Sequence, residues 1–153
     1  MGESLKAIKE VFELTDRDLR SYSPLTLAYL GDAVYEVIIR CLLTGRGNCS
    51  VNKLHQSALA YVSAGSQARL MDRIEPLLTQ EEEAVFRRGR NAHSPTMAKH
   101  ASMADYRRAT GFEALVGFLF LEGKEERILE LIHAGIIGQP EEDVGSCTGR
   151  QEG

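Results

Sequence analysis

Two acids in this sequence stand where acids are expensive. Asp32 follows Gly31 in the middle of LTLAYLGDAVYEVIIRCL (residues 25–42), and Glu113 is the only charge in FEALVGFLFL (residues 112–121). Gly costs about 1 kcal/mol against Ala in a helix interior, and Asp is a weak interior residue because its carboxylate competes for backbone groups. At 100° per residue Glu113 falls in line with Tyr106, Gly117 and Phe120 on a helix that is apolar nearly all round. A carboxylate there must meet a cation or strong donors. If the two helices pack, Asp32 and Glu113 converge as hard oxygen ligands, few in number, a set that suits Mg²⁺ with water completing its shell. Glu36 lies one helical turn beyond Asp32 on the same side. The competing readings are a solvated Asp32 and a Glu113 paired with an arginine.

The basic residues supply a second clue. Net charge is −4, yet Arg87, Arg88, Arg90, Lys99, Arg107 and Arg108 face the single acid Asp105 within residues 87–108. That segment carries +5 and the remainder −9. An acidic protein with one concentrated basic site is suited to a phosphate backbone or to an acidic protein patch. A divalent ion beside such a site points to phosphate chemistry, in which the metal polarises the phosphoryl group and activates water while the cations hold the backbone. His55, His93, His100 and His133 have no metal-ligand spacing, and neither a Ser-His-Asp nor a P-loop pattern is present.

The elements that must position these groups are helical. Ser23-Pro24 reads as N-cap and first helical position, with Gly45 past the end of that helix. Leu27, Leu30, Val34, Val37, Ile38 and Cys41 predict its buried stripe, with Asp32 projecting away from it. Asn48 or Ser50 opens a second helix and Ser63 a third, which stops near Pro76. Thr79 with Glu82 is a capping box, and Ser102 with Asp105 resembles one; Gly89 and Gly123 end the helices that follow. A last helix runs through KEERILELIHAG. The count is about six or seven helices in an all-α domain, and GRNAHSPTMAKHA (residues 89–101) is a loop between two basic helix ends. The polar, Gly-rich tail after residue 138 is expected to be loose. A chain of 153 residues with 43% hydrophobic and 26% charged residues is one ordinary globular domain. The longest uncharged apolar run is too short to cross a bilayer and the N-terminus lacks a signal-peptide core, so a cytoplasmic protein without membrane contact is expected. Cys41, Cys49 and Cys147 are odd in number and scattered, which predicts free thiols.

LAYLGDAVYE resembles the signature helix of the ribonuclease III family, and ATGFEALVGFLFLEG its second acidic helix. VNKLHQSALAYVSAGSQA, EEEAVFRRGRNAHS and YRRATGFEAL are similar to the Mini-ribonuclease III branch, which consists of the catalytic domain alone; the agreement runs in order from about residue 23 to 130. The resemblance implies a lead segment over residues 1–22, a ribonuclease III catalytic domain over 23–138 and a tail over 139–153, with no double-stranded-RNA-binding domain. It implies a homodimer that cleaves double-stranded RNA with Mg²⁺, Mn²⁺ being able to substitute, leaving 5′-phosphate ends. The implied substrate is 23S ribosomal RNA precursor, and a ribosomal large-subunit protein bound to that RNA is the implied helper. Asp32 and Glu113 become the catalytic metal ligands. Arg87, Arg88, Arg90, Asn91, His93, Ser94, Lys99 and Arg107 become the RNA contacts. Larger ribonuclease III enzymes carry acids where this chain has Leu25, Ala28 and Thr110, and that reduction supports the rival reading, an inactive RNA-binding or ribosome-assembly scaffold.

Overall fold

A computed structural model describes residues 3–92 and 102–137. Seven α-helices follow one another, with no strand among the described residues: α1 (Glu3–Val11), α2 (Pro24–Arg46), α3 (Val51–Val62), α4 (Ala64–Ile74), α5 (Gln80–Arg90), α6 (Met103–Leu121) and α7 (Glu125–Ile137). Local chemistry sets most of the boundaries. Ser23, Ser50, Ser63, Thr79 and Ser102 each sit in extended backbone and accept an amide of the following turn on their side-chain oxygen. At Thr79 the device is reciprocal, because Glu82 accepts the Thr79 amide at 2.9 Å. Ser63 serves twice: it closes α3 and opens α4, so these two helices meet at a stiff corner.

The core is assembled around α6, which packs on α2, α5, α4 and α7. Ala114, Leu115, Val116 and Leu119 are buried from α6, and they meet Leu27 and Ile39 of α2, Leu70 and Met71 of α4, Phe86 of α5 and Ile132 of α7. Tyr35 is fully buried and keeps its polar tip satisfied by donating its hydroxyl to the Tyr61 carbonyl at 2.8 Å. Its ring meets Phe112 edge to face, centroids 5.0 Å apart. Arg127 of α7 reaches across to Glu82 with two hydrogen bonds of 2.9 and 2.8 Å and to the Leu77 carbonyl at 2.9 Å. The capping acid of α5 is thereby also the anchor of α7.

Three expectations need correction. The buried face of α2 is Leu27, Ala28, Gly31, Tyr35, Ile39 and Leu43, while Val37 and Cys41 face solvent. The helix is apolar on more than one side, and the close approach of α6 selects the face that is buried. Gly45 lies within α2, which ends at Arg46 with Gly47 as its cap, and Gly89 likewise lies within α5, which runs to Arg90 with Asn91 as its cap. Cys41 is a free thiol as expected, whereas Cys49 is disulfide-bonded. The tail after residue 138 lies outside the described residues. No helix among the described residues is long and apolar enough to cross a membrane.

Candidate active site

The contact that builds the site is between two helix backbones. A Cβ on Gly31 would overlap the Glu113 carbonyl oxygen and come within 2.7 Å of the Gly117 amide nitrogen. A Cβ on Gly117 would in turn overlap the Leu27 carbonyl and stand 3.1 Å from the Gly31 nitrogen. Both positions must lack a side chain for α2 and α6 to cross at this distance. Asp32 follows Gly31 and Glu113 precedes Gly117 by one turn, so the crossing that excludes side chains at the glycines brings the two acids to its edge. The weak Gly31-Asp32 pair is therefore explained by the partner helix.

Electrostatics at the crossing are strained in one direction. Burial, and then the neighbouring charges of Asp32 and Glu36, push the Glu113 carboxyl up to about 8, with a hydrogen bond from Gln67 opposing the shift. The Asp32 carboxyl is raised too, by partial burial first and by Glu36 second. Glu36 has Arg40 at 3.5 Å on the exposed side of α2. Among the described residues no cation pairs with Glu113, so the arginine-paired reading of that acid is not what the fold contains. Two carboxyl groups that resist ionisation, with Glu36 one turn along α2, form a local deficit of positive charge.

That deficit fits a hydrated divalent ion better than a closed protein cage. Among the described residues no three His, Cys, Asp or Glu side chains are grouped tightly enough to enclose a metal. The donor set is oxygen only and small, which matches Mg²⁺, an ion that is commonly held by one or two carboxylates and keeps several waters. Asp32 and Glu113 are the residues that would hold it. Thr110, where larger ribonuclease III enzymes have an acid, is buried and donates its hydroxyl to the Tyr106 carbonyl at 3.0 Å, and Ala28 is core.

The basic segment divides by environment. Arg108 is internal: it meets Asp72 at 2.6 Å and Glu75 at 2.7 Å, and lies over the Phe86 ring. Arg87 pairs with Glu83 at 2.6 Å, one turn back on the same helix. Arg90 bonds Asn91 at 3.3 Å and covers the other approach to Phe86, while Asn91 ends α5. Arg88 and Arg107 are exposed and form no ion pair among the described residues. A second glycine crossing holds these helix ends near one another, since a Cβ on Gly89 would stand 2.9 Å from the Gly111 Cα. His93, Ser94 and Lys99 lie outside the described residues.

Two features had no signal in the sequence reading. Gln67 of α4, in an unremarkable AGSQARL, is 2% exposed and donates its Nε2 to the Val62 carbonyl at 3.0 Å. The outward face of α2 is also unexpectedly apolar: Tyr29 is 84% exposed and Val37 61%, with Leu59 of α3 exposed as well.

Comparison with known proteins places these features in context. Residues 25–124 match the family model for the ribonuclease III domain. A Mini-ribonuclease 3 of Symbiobacterium thermophilum is 51% identical over 111 residues, covering 72% of this chain and 85% of that protein. One from Clostridium tetani is 46% identical over 121 residues, covering 78% and 80%. One from Thermoanaerobacter is 42% identical over 137 residues, covering 89% and 96%. A crystal structure of a Fusobacterium nucleatum protein superposes with a TM-score of 0.72 at 32% identity, over 80% of this chain and 98% of that one.

Proposed function

The chain belongs to the ribonuclease III family, in its Mini-ribonuclease III branch, and is an endoribonuclease; on that footing we propose that it cleaves double-stranded RNA with Mg²⁺ held by Asp32 and Glu113. The observation that supports this reading is the α2–α6 crossing at Gly31 and Gly117, at whose edge Asp32 is near enough to raise the Glu113 carboxyl, with neither acid paired to a cation among the described residues. A divalent ion bound there supplies charge neutralisation at the phosphoryl oxygens and activates water near neutral pH. The chain's own part is to fix the geometry. Asp32 and Glu113 orient the site from two rigid helices, and the raised carboxyls favour taking up a cation over standing ionised alone.

Substrate grip comes from the ends of α5 and α6. Arg88 and Arg107 are free to meet phosphates, with Arg87, Arg90 and Asn91 beside them and His93, Ser94 and Lys99 contributing from the connecting segment. A-form RNA offers its shallow minor groove, 2′-hydroxyls and phosphates, which such a surface reads by shape more than by base. The family typically acts as dimers, and the exposed Tyr29, Val37 and Leu59 support a second copy of this chain as the occupant of that face. A dyad would give two sites, one per strand. The proposed substrate in a cytoplasmic setting is 23S ribosomal RNA precursor, with a large-subunit ribosomal protein on the RNA as helper. The test is incubation of the purified protein with that precursor RNA in Mg²⁺ or chelator. Staggered cuts with 5′-phosphate ends in Mg²⁺ alone are expected; binding without cleavage would favour the scaffold reading.

A further inference from the structure

On the outer edge of α2, Asp32, Glu36 and Arg40 recur every four residues and so stand one turn apart along one line, a span of about 12 Å. Beyond Asp32 this line becomes one wall of a groove of about 490 Å³, and α3 forms the other wall. Glu36 and Arg40 line it together with Asn52, His55 and Gln56, and the fully buried Ile39 lies between the walls. The three α3 residues are three and four positions apart, which puts them on one helix face. All three are exposed, and none has a hydrogen bond or ion pair among the described residues. Ser50 caps α3 and Ser63 closes it, so the face they share is rigid.

The chemistry of this groove is neutral hydrogen bonding. Its carboxylate and guanidinium lie 3.5 Å apart and offset each other, while two amides and an imidazole supply donors and acceptors without a fixed charge. Gripping phosphates suits the exposed Arg88 and Arg107 better. A ribose 2′-hydroxyl is both donor and acceptor, and such a set of side chains matches it.

We propose that Asn52, His55 and Gln56 form a ribose-reading subsite, hydrogen-bonding 2′-hydroxyls and base edges of the shallow minor groove beside the cleaved bond. The inference rests on the nuclease reading and deepens it by assigning a specificity determinant. Glu36 belongs both to the line that starts at Asp32 and to the groove wall, so a strand lying over Asp32 continues into the groove. Because α3 packs on α2 and α4 while α5 packs on α6, the substrate is met from two sides of the acids. The basic helix ends supply attraction that any nucleic acid would feel, and the α3 face supplies the distinction between ribose and deoxyribose.

The test pairs a protein variant with altered substrates. Cleavage of a duplex RNA is measured for wild type and for a variant combining Asn52→Ala, His55→Ala and Gln56→Ala, with single 2′-deoxy substitutions walked along the strand around the cut. Ala is the strongest helix former and all three sites are exposed, so the variant should fold, which circular dichroism checks. Wild type is expected to lose about 10-fold in kcat/KM at one or more deoxy positions, the cost of an unmade hydrogen bond. The variant should be about 10-fold slower on the all-ribose duplex and indifferent to those same positions, a non-additivity that marks direct contact. Its Mg²⁺ midpoint and its slope of log K against log salt should match wild type, because no acid, lysine or arginine is removed. A folded variant within twofold of wild type on the all-ribose duplex overturns the inference and leaves the nuclease reading standing. Equal losses for both proteins at every deoxy position do the same. A variant that sediments as a monomer where wild type is a dimer gives the groove to a second copy of the chain and also overturns it. Absence of Mg²⁺-dependent cleavage by wild type overturns both readings. Should the triple variant fail to fold, His55→Ala alone goes through the same comparison, and the same outcomes decide.

Discussion

Gly31 and Gly117 are each unable to carry a side chain because the other's helix backbone occupies the space. A Cβ on Gly31 would overlap the Glu113 carbonyl, and one on Gly117 the Leu27 carbonyl. Substituting either by Ala forces backbones apart, since no flexible side chain is there to yield. We expect Gly31→Ala or Gly117→Ala to cost about 3 kcal/mol or more in urea unfolding, at the upper end of overpacking penalties, and to lower cleavage at least ~10-fold in whatever protein remains folded. Gly45→Ala is the control. It lies inside α2 with nothing within 4 Å of its would-be Cβ, so it should stabilise by about 0.5–1 kcal/mol and leave cleavage unchanged.

Asp32→Asn preserves shape and removes an anionic ligand. The expected outcome is a loss of at least ~10³ in cleavage rate, about 4 kcal/mol of barrier, with RNA binding in chelator kept within a few-fold. Gel-based cleavage and filter-binding assays on the same preparation check both halves. A rate within tenfold of wild type would remove Asp32 from the chemistry.

The raised acids make stability depend on pH with a definite sign. Glu113 is held at about 8 in the fold against an ordinary value near 4.5, so between those values the folded state binds the extra proton and stability falls as pH rises. Asp32 is shifted in the same direction. In chelator, melting temperature should therefore drop from pH 5.5 to pH 8.5. Mg²⁺ favours the ionised carboxyls and should restore most of the loss at the alkaline end. A melting temperature flat across this range would contradict the burial of Glu113.

Salt dependence separates the arginines. Arg88→Ala and Arg107→Ala should each weaken RNA binding and reduce the slope of log K against log salt by about 1, with little change in stability. Arg108→Ala should cost roughly 1–2 kcal/mol of stability through its Asp72 and Glu75 partners, with a smaller effect on the slope. Equal slopes for Arg88→Ala and wild type would take the α5 end out of the RNA surface.

Much of this structure was legible where cause and effect are local. Ser23, Ser63, Thr79 with Glu82, and Ser102 announce helix starts because a side-chain oxygen and an amide three residues on are enough to make the cap. Gly31-Asp32 was legible as an anomaly, since two poor helix residues side by side call for a reason outside their own helix. What stayed hidden is set by distant partners. The face of α2 that is buried depends on where α6 approaches, so Val37 reads as core and is exposed. Gln67 carries no periodic or charge signal, and its burial exists only once the helices are packed. Glu82 reads as a cap, and nothing near it in sequence announces Arg127. The Cys49 disulfide was missed because the argument from compartment addresses classes of proteins and not one pair of thiols.

The α2–α6 crossing joins segments from the two halves of the chain, and it has a consequence for synthesis. During translation α2 emerges early, and the helix that fills its Gly31 groove is among the last to leave the ribosome. Until residue 121 is free, the signature helix has no surface on which to bury its inner face, and the two acids are strangers in solution. The enzyme is thus born inert, and a chain cut short before α6 would be a hydrophobic fragment for a protease to clear and not a slower nuclease.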